Sequence, residues 1–197
     1  MNVRTKIVSF LGPDGAGKTT IMALVEHELT AREVDFAHYY FAPGYLKRYR
    51  ASGIPTVNTN PHAGRQYNSG LVLLKICLML FEFNMGVPKV KRQNKLVLFD
   101  RFIHDLLVDP RRYRLNRLRW WMRVLLKLAP SPDLMVIITA PAKIIQSRKQ
   151  EVSLKETERQ VLTYKSIANQ FSRSLLIENV GQPEDAAMKI VSAIFDR

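Results

Sequence analysis

The segment from Gly12 to Thr19, near the start of the chain, has the spacing Gly-x-x-x-x-Gly-Lys-Thr. Glycines allow a backbone to fold tightly and to turn its N–H groups inward, as the binding of phosphate oxygens requires. An apolar run precedes the segment and helical spacing follows it, so the positive end of a helix would point at the same place. In such a loop Lys18 would contact the β- and γ-phosphates of a nucleotide, and the Thr19 hydroxyl would bind Mg²⁺. The predicted nucleotide-binding residues are Gly12, Pro13, Asp14, Gly15, Ala16, Gly17, Lys18, Thr19 and Thr20.

A second pair of chemically active residues, Asp100 and Arg101, follows an apolar stretch that begins at Leu96. A carboxylate at the end of a buried strand, downstream of a phosphate-binding loop, can organise the Mg²⁺ shell together with Thr19. The Arg101 guanidinium could hold an acceptor phosphate through two hydrogen bonds, or it could form a salt bridge that stabilises its own loop. The prediction is therefore that Lys18, Asp100 and Arg101 are catalytic and that Thr19 and Asp100 bind Mg²⁺.

Three further polar residues, His104, Asp105 and Asp109, come shortly after this pair. Either aspartate could bind an acceptor hydroxyl or act as a base, and either could instead cap a helix or pair with Arg111 and Arg112. His104 could be an acid or base, although a loop histidine engaged in hydrogen bonds is the safer interpretation. No histidine and cysteine spacing indicates a zinc site.

The composition favours one soluble domain with anionic partners. A chain of 197 residues is most simply a single domain with a substantial core, and its formal net charge of +13 attracts nucleotides, phosphorylated glycans, nucleic acid or acidic lipid headgroups. The single cysteine, Cys77, favours a reducing compartment and is expected to fill space in the core. We find no signal peptide and expect a cytoplasmic protein. The longest apolar stretch, Leu71 to Phe83, is too short to span a bilayer and is expected to be a buried helix.

Strand and helix patterns alternate along the chain. Five short strands separated by helices predict an α/β fold in which one parallel sheet is covered on both faces. A helix from Gln66 to Phe83 is expected to be broken by Gly86 and Pro88, and residues 45–65 are expected to form an irregular connection. The predicted strands are 7–11, 36–41, 95–99, 134–139 and 175–177, and the remaining predicted helices are 20–29, 113–128, 141–150, 154–172 and 184–195.

The segment 111–127 is basic and amphipathic, with a pair of tryptophans at the boundary of its two faces. Such a helix can lie on an anionic membrane, which would place the protein at the inner membrane face. It could equally pack its apolar face on its own domain or on a second copy, as in a homodimer, and leave the arginines in solvent. Nucleic acid is the less favoured partner, because no recognition motif for it is visible.

The residues Phe10–Thr20 and Phe99–Phe102 resemble the thymidylate kinase branch of the P-loop nucleoside monophosphate kinases. The stretch 132–141 is similar to the fourth strand of those enzymes. The resemblance implies the P-loop NTPase three-layer α/β/α fold, a sheet of order 2-3-1-4-5, and one kinase domain over 1–197. It implies transfer of the γ-phosphoryl group of ATP, with Mg²⁺, to an acceptor that is dTMP by family default.

The same resemblance assigns roles around the acceptor. It implies that Asp14 faces the acceptor sugar and that Arg101 holds its phosphate, and Asp105 joins them as a candidate acceptor-binding residue. A mobile lid would lie at about 146–156. Gly15 stands where some members have an arginine in the loop, so the lid would supply the catalytic cation, with Arg148 as first candidate and Lys149 as second.

The chain departs from the family in the acceptor-binding region, at about 42–94 and 102–128. Phe41-Ala-Pro-Gly44 replaces the usual Arg-Glu-Pro-Gly, and Lys75 is the only basic residue in the apolar part of the acceptor helix. The stretch from His104 to Arg114 instead resembles thymidylate-kinase-like proteins associated with bacterial surface polysaccharide synthesis.

Three functions are therefore open. The first is a nucleotide kinase, the second is a kinase for a sugar or glycan at the membrane, and the third is a nucleotide-binding module without transfer activity. A guanine-specific switch is disfavoured because Asn94-Lys-Leu-Val97 lacks the final carboxylate of the usual motif. The loop Asn179–Pro183 is expected to surround the adenine ring.

Overall fold

Five strands form one parallel sheet in the computed structural model, which describes residues 6–46, 68–93, 95–110, 112, 119–150 and 152–196. The sheet order is β2-β3-β1-β4-β5, so the predicted fold class and strand order are confirmed. All strand pairs are parallel, and β1 lies at the centre between β3 and β4. The strands are β1 Ile7–Leu11, β2 Phe36–Tyr40, β3 Leu96–Asp100, β4 Leu134–Thr139 and β5 Ser174–Glu178.

The sheet is covered by helices on both faces, which gives three layers. Successive side chains of β1 enter opposite cores: Ile7 and Leu11 pack with α2, whereas Val8 and Phe10 pack with α1 and α7. A strand that is buried on both faces has no polar side, and this is why the central strands read as continuous apolar runs. The helices are α1 Lys18–Ala31, α2 Ser69–Lys91, α3 Asp105–Val108, α4 Arg119–Leu125, α5 Ala142–Arg148, α6 Leu154–Ala168 and α7 Pro183–Phe195, and a 3₁₀ turn, Leu126–Leu128, follows α4.

Helix α2 continues through Gly86 and Pro88, so the predicted break was wrong. A side chain at Gly86 would overlap the ring of Pro43, and glycine here permits the loop after β2 to pack closely against the helix. Pro88 lies in the last turns, where the loss of one backbone hydrogen bond still leaves the helix continuing to Lys91. The helix begins after Asn68, whose side chain accepts a hydrogen bond from the Leu71 N–H at 2.9 Å.

Only one face of α2 is buried, contrary to the expectation for the whole helix. Cys77 is exposed, so its predicted place in the core was also wrong. The extension to Lys91 gives 23 residues, and by length and composition such a helix could cross a membrane, contrary to the estimate from the shorter stretch. The buried face of α2, with residues such as Val72, Ile76 and Phe83, belongs to the core of the domain.

The loop after β2 is tied to α2 by a buried carboxylate. The backbone N–H groups of Tyr45 and Leu46 each donate to a Glu82 carboxylate oxygen at 2.6 Å, and Glu82 is fully buried. These charge-assisted bonds satisfy the carboxylate that the core would otherwise leave uncompensated.

The other element boundaries lie close to the predicted ones. Helix α3 was not predicted, and α6 ends at Ala168 instead of 172. The predicted helix at 113–128 is observed from Arg119, and residues 113–118 lie outside the described part of the chain. Most of the predicted irregular connection, 47–65, also lies outside it.

Candidate functional site

The segment Gly12–Thr19, called the phosphate loop below, joins the buried strand β1 to helix α1. Gly12 and Gly17 have φ values of +149° and +92°, which favour glycine over other residues. A side chain at Gly12 would overlap the Ile138 carbonyl of β4, and one at Gly17 would overlap the Asn179 amide. The glycines therefore allow the loop to lie directly against the neighbouring strands, with the N-terminus of α1 opening at its end.

Lys18 is folded back onto the loop that contains it. Its ammonium group donates to the carbonyl oxygens of Gly12 and Pro13, at 2.7 and 2.8 Å. The pKa of Lys18 is lowered from 10.5 to about 8, chiefly by burial and then by the Arg101 charge, and nearby carboxylates such as Asp14 only partly oppose this shift. A phosphate group bound here would add negative charge and raise this pKa again.

The carboxylate of Asp14 is the point at which cations from three parts of the chain converge. It accepts hydrogen bonds from the guanidinium groups of Arg101 and Arg112, and the Lys18 ammonium lies 3.6 Å away. The side chain of Asp14 is 17% exposed, so the cluster is shielded from most of the solvent. Two arginines and a lysine thus meet at one carboxylate of the loop, and the Asp105 and Asp100 carboxylates lie close enough to act on the same cations.

Arg101 directly follows β3 with φ +72°, an uncommon value for a residue with a side chain. Its backbone N–H donates to the Phe10 carbonyl at 3.0 Å, and its guanidinium donates to Asp105 at 2.6 Å. Asp105 is fully buried and also accepts a hydrogen bond from the Tyr164 hydroxyl. The salt-bridge interpretation of Arg101 therefore holds in this structure, and the same contacts position its guanidinium beside the phosphate loop.

Thr19 and Asp100 are the residues that could hold Mg²⁺. Thr19 is exposed in the first turn of α1, and Asp100 ends β3 opposite Phe10 of β1, just before the phosphate loop. The Asp100 charge also acts on the Lys18 pKa, so the two groups lie within electrostatic range. A hydroxyl and a carboxylate are hard oxygen ligands that suit Mg²⁺, which usually completes its shell with phosphates and water. The described residues contain no larger cluster of metal-binding side chains.

Two residues of the predicted lid, 146–156, lie against the phosphate loop, and position 151 of the lid is outside the described residues. The Arg148 guanidinium is 3.9 Å from the position that a Cβ on Gly17 would occupy, and the Lys149 Cβ is 3.3 Å from the corresponding position at Gly15. The Gln146 amide donates to the Val152 carbonyl at 2.8 Å and to the Thr157 hydroxyl at 2.6 Å, which ties the two ends of this turn together. The structure thus brings both candidate lid cations beside the loop, with Arg148 near the start of α1.

A small cleft that is open to solvent separates the phosphate loop from the start of α6. The loop forms one wall, and α5, α6 and the segment between them form most of the other. Its lining residues are Pro13, Asp14, Asp109, Ile145, Lys149, Val152, Thr157 and Gln160. The cleft places an open space next to the Asp14 ion pairs.

Two parts of the site were not predicted from the sequence. The Asn179 side chain donates to the Ala16 carbonyl at 2.8 Å, so the first residue of the loop expected near adenine also braces the phosphate loop. From the sequence, Arg112 was a possible partner of Asp105 or Asp109 and part of the basic segment 111–127, and it was not predicted to belong to the phosphate site. Its backbone N–H does donate to Asp109, at 3.2 Å, whereas its guanidinium reaches Asp14. The available signal was the number of arginines after Asp109, which cannot indicate which of them turns inward.

His104 lies in the aromatic core. It is 4% exposed, its ring stacks on Phe102, and Phe171 contacts it edge to face at 4.8 Å. Within the described part of the chain Nδ1 has no hydrogen-bond partner, so the expectation of a hydrogen-bonded loop histidine was wrong for that atom. Burial lowers the pKa of His104 to about 4, and the residue is neutral at physiological pH.

No protein-family model matches this sequence, and no curated protein matches it either.

Proposed function

We propose that this protein is a phosphotransferase, a kinase that uses ATP and Mg²⁺ to phosphorylate a small phosphorylated acceptor in the manner of thymidylate kinase. The observation that carries the proposal is the convergence of Lys18, Arg101 and Arg112 on Asp14 beside the N-terminus of α1. Phosphoryl transfer needs alignment and charge stabilisation more than covalent chemistry, and this cluster would supply both to bound phosphates. The acceptor of the family default is dTMP.

The donor nucleotide would bind with its phosphates in the phosphate loop. Backbone N–H groups and the N-terminus of α1 favour negative charge there, and Lys18 would exchange its carbonyl partners for phosphate oxygens. Mg²⁺ held near Thr19 and Asp100 would neutralise charge on the phosphates. Arg148 would approach the transferred group from the lid, consistent with its place near Gly17.

The acceptor would bind in the cleft beside Asp14. Arg101 and Arg112 both bind a carboxylate at present, and a phosphate monoester offers more negative charge and a similar arrangement of oxygens. Asp14 would then be released to accept a hydrogen bond from a hydroxyl group of the acceptor. Asp105 would act through Arg101, because its two oxygens accept hydrogen bonds from Arg101 and Tyr164 inside the core.

A second candidate function is a kinase for a sugar or glycan at the membrane. It is favoured by Arg112, a hydrogen-bond partner of Asp14 that comes from a segment in which the sequence departs from thymidylate kinases. A third candidate is a nucleotide-binding module without transfer, which would use the phosphate loop in the same way.

A panel assay distinguishes these functions. Purified protein with ATP and Mg²⁺ is offered dTMP, other nucleoside monophosphates, sugar phosphates and free sugars, and ADP release and product mass are measured. Turnover of dTMP supports the first function, and turnover of a sugar or glycan without dTMP supports the second. ATP binding without any turnover supports the third, and absence of both ATP and GTP binding at millimolar concentration would refute the site assignment.

A further inference from the structure

Helix α2 exposes an apolar stripe along its outer face. Phe81 is 48% exposed and Leu74 is 55% exposed, although both lie in a helix whose opposite face is fully buried. The exposed apolar residues recur at helical spacing, which places them on one side of the helix. They are Leu71, Leu73, Leu74, Leu78, Phe81 and Met85.

The helix α4 and the 3₁₀ turn after it carry a second exposed apolar stripe. Met122 and Leu126 pack into the same core as α2, which turns the other side of this segment outward. Trp120 is 64% exposed, and its ring contacts the Trp121 ring edge to face at 4.8 Å. The exposed residues of this stripe are Trp120, Trp121, Val124 and Leu128.

The two stripes lie next to each other. The Asn84 side chain of α2 donates to the Leu128 carbonyl at 3.1 Å, so the end of the second stripe touches α2 between Phe81 and Met85. Tyr45, from the loop after β2, extends the surface by packing edge to face on Phe81 at 5.8 Å. We call the exposed residues of both stripes the apolar face. An exposed apolar surface assembled from two elements is unusual for a monomeric protein in solution.

The exposed charges of the two elements that form the apolar face have one sign, and the nearby Asp133 is paired with Lys91 at the end of α2. Arg123 and Lys127 are exposed between the residues of the second stripe, and Lys89 lies over the Tyr45 ring at 5.9 Å. The sequence of 69–91 and 119–128 contains a single acidic residue, Glu82, and that residue is fully buried. A twofold contact between two copies would set this surface against itself and bring like charges together. An anionic surface would instead neutralise them.

We propose that the apolar face binds the surface of an anionic lipid bilayer. The tryptophans and leucines enter the interface between headgroups and acyl chains, where aromatic side chains are favoured, and the basic residues contact the headgroups. Each Lys or Arg near such a surface raises the membrane partition coefficient of the protein about fivefold. The binding is peripheral, because the buried face of α2 remains in the core of the domain. This proposal is independent of the proposed function, since it requires neither nucleotide binding nor phosphoryl transfer.

Vesicle flotation of the full chain tests the proposal. We expect the protein to float with vesicles of mixed phosphatidylcholine and phosphatidylglycerol and not with phosphatidylcholine alone, and to be released when salt rises from about 50 to about 500 mM. Leu128→Ser should weaken the binding at least severalfold, whereas Leu162→Ser, at an equally exposed leucine of α6, should not change it. The charge variant Arg123→Gln with Lys127→Gln should weaken it by about tenfold or more.

Four results would overturn the proposal. They are absence of flotation with anionic vesicles, equal effects of Leu128→Ser and Leu162→Ser, vesicle binding that only detergent reverses, and a stable dimer in light scattering that Phe81→Glu dissociates. The last would assign the apolar face to a second copy, and the third would indicate insertion of α2. Circular dichroism and thermal melting of each variant establish that the fold is intact.

Discussion

The guanidinium of Arg112 donates a hydrogen bond to the carboxylate of Asp14, a residue of the phosphate loop that lies 98 positions earlier in the chain. The contact joins the segment after α3 to the loop between β1 and α1. Because Arg101 binds the other oxygen of the same carboxylate, Asp14 holds two arginines beside the cleft. A ligand with a phosphate group would compete with Asp14 for both.

Arg112→Ala should raise the KM for the phosphorylated acceptor by about 10- to 100-fold and leave the KM for ATP nearly unchanged. The reason is that the variant removes one charge-assisted hydrogen-bond donor from the acceptor side of the site only. Steady-state kinetics with each substrate varied in turn measure the two constants. Arg32→Ala, at a partly exposed arginine at the end of α1, serves as the matched control. Equal changes in both KM values would show that Arg112 acts on the whole loop.

Lys18→Ala should reduce phosphoryl transfer at least about a hundredfold and leave the fold intact. The Lys18 ammonium group would stabilise the negative charge on the phosphates in the transition state. In the free protein it binds backbone carbonyls of its own loop. ADP release measures the activity, and thermal melting measures the fold. An active Lys18→Ala enzyme would refute the assignment of the phosphate loop.

Nucleotide affinity should fall as the pH rises above about 8. Below that pH Lys18 is charged in the free protein, and above it a proton must be taken up for binding, because bound phosphate raises the Lys18 pKa. The decline approaches tenfold per pH unit for one coupled proton. ADP titrations between about pH 7 and pH 9.5 measure it. Lys18→Arg, whose side chain stays charged, should show no such decline if it binds, and a flat profile in the unmodified protein would contradict the prediction.

Arg148→Ala should reduce kcat on the order of a thousandfold while ATP affinity changes little. A cation that meets the transferred group stabilises charge in the transition state more than in the bound ground state. The same measurement on Lys149→Ala compares the two lid cations, both of which lie against the phosphate loop. A change confined to KM for Arg148→Ala would move the catalytic role to another residue.

The stability of the fold should decrease as the pH falls from about 6.5 to about 4. The pKa of His104 is about 4 in the folded chain and 6.5 when unperturbed, so the unfolded chain binds more protons in this window. Stability from this group is fully present above pH 6.5, and about 3 kcal/mol is lost across the window. Urea unfolding at several pH values compares the protein with His104→Phe, which keeps a ring against Phe102 and Phe171 but cannot titrate. Parallel pH profiles of the two proteins would contradict the prediction.

The strands and the phosphate loop could be predicted from the sequence, because both depend on residues that are close together in the chain. The run Ile7–Leu11 is apolar at every position but Ser9, and such a run is typical of a strand buried on both faces in a parallel sheet. The glycines from Gly12 to Gly17 adopt positive φ angles, and the preference of glycine for such angles is a property of the residue itself that can be read from the sequence. Helix α2 shows the limit of this reasoning: Gly86 and Pro88 lower helix propensity, but the packing of Pro43 against Gly86 is a tertiary contact that no local rule contains.

The tertiary structure alone decided which polar and apolar groups meet. The sequence shows many arginines after Asp109 and an α2 that is apolar almost all round, and neither pattern says which Arg reaches Asp14 or which face of α2 remains exposed. Those outcomes depend on contacts between segments far apart in the chain, such as Asn179 with Ala16 across 163 positions. Local sequence therefore determined the strands, the phosphate loop and the parallel α/β class. The arrangement of charges around Asp14 and the apolar face followed from how the layers pack, because packing energy is shared among residues that the sequence does not place side by side.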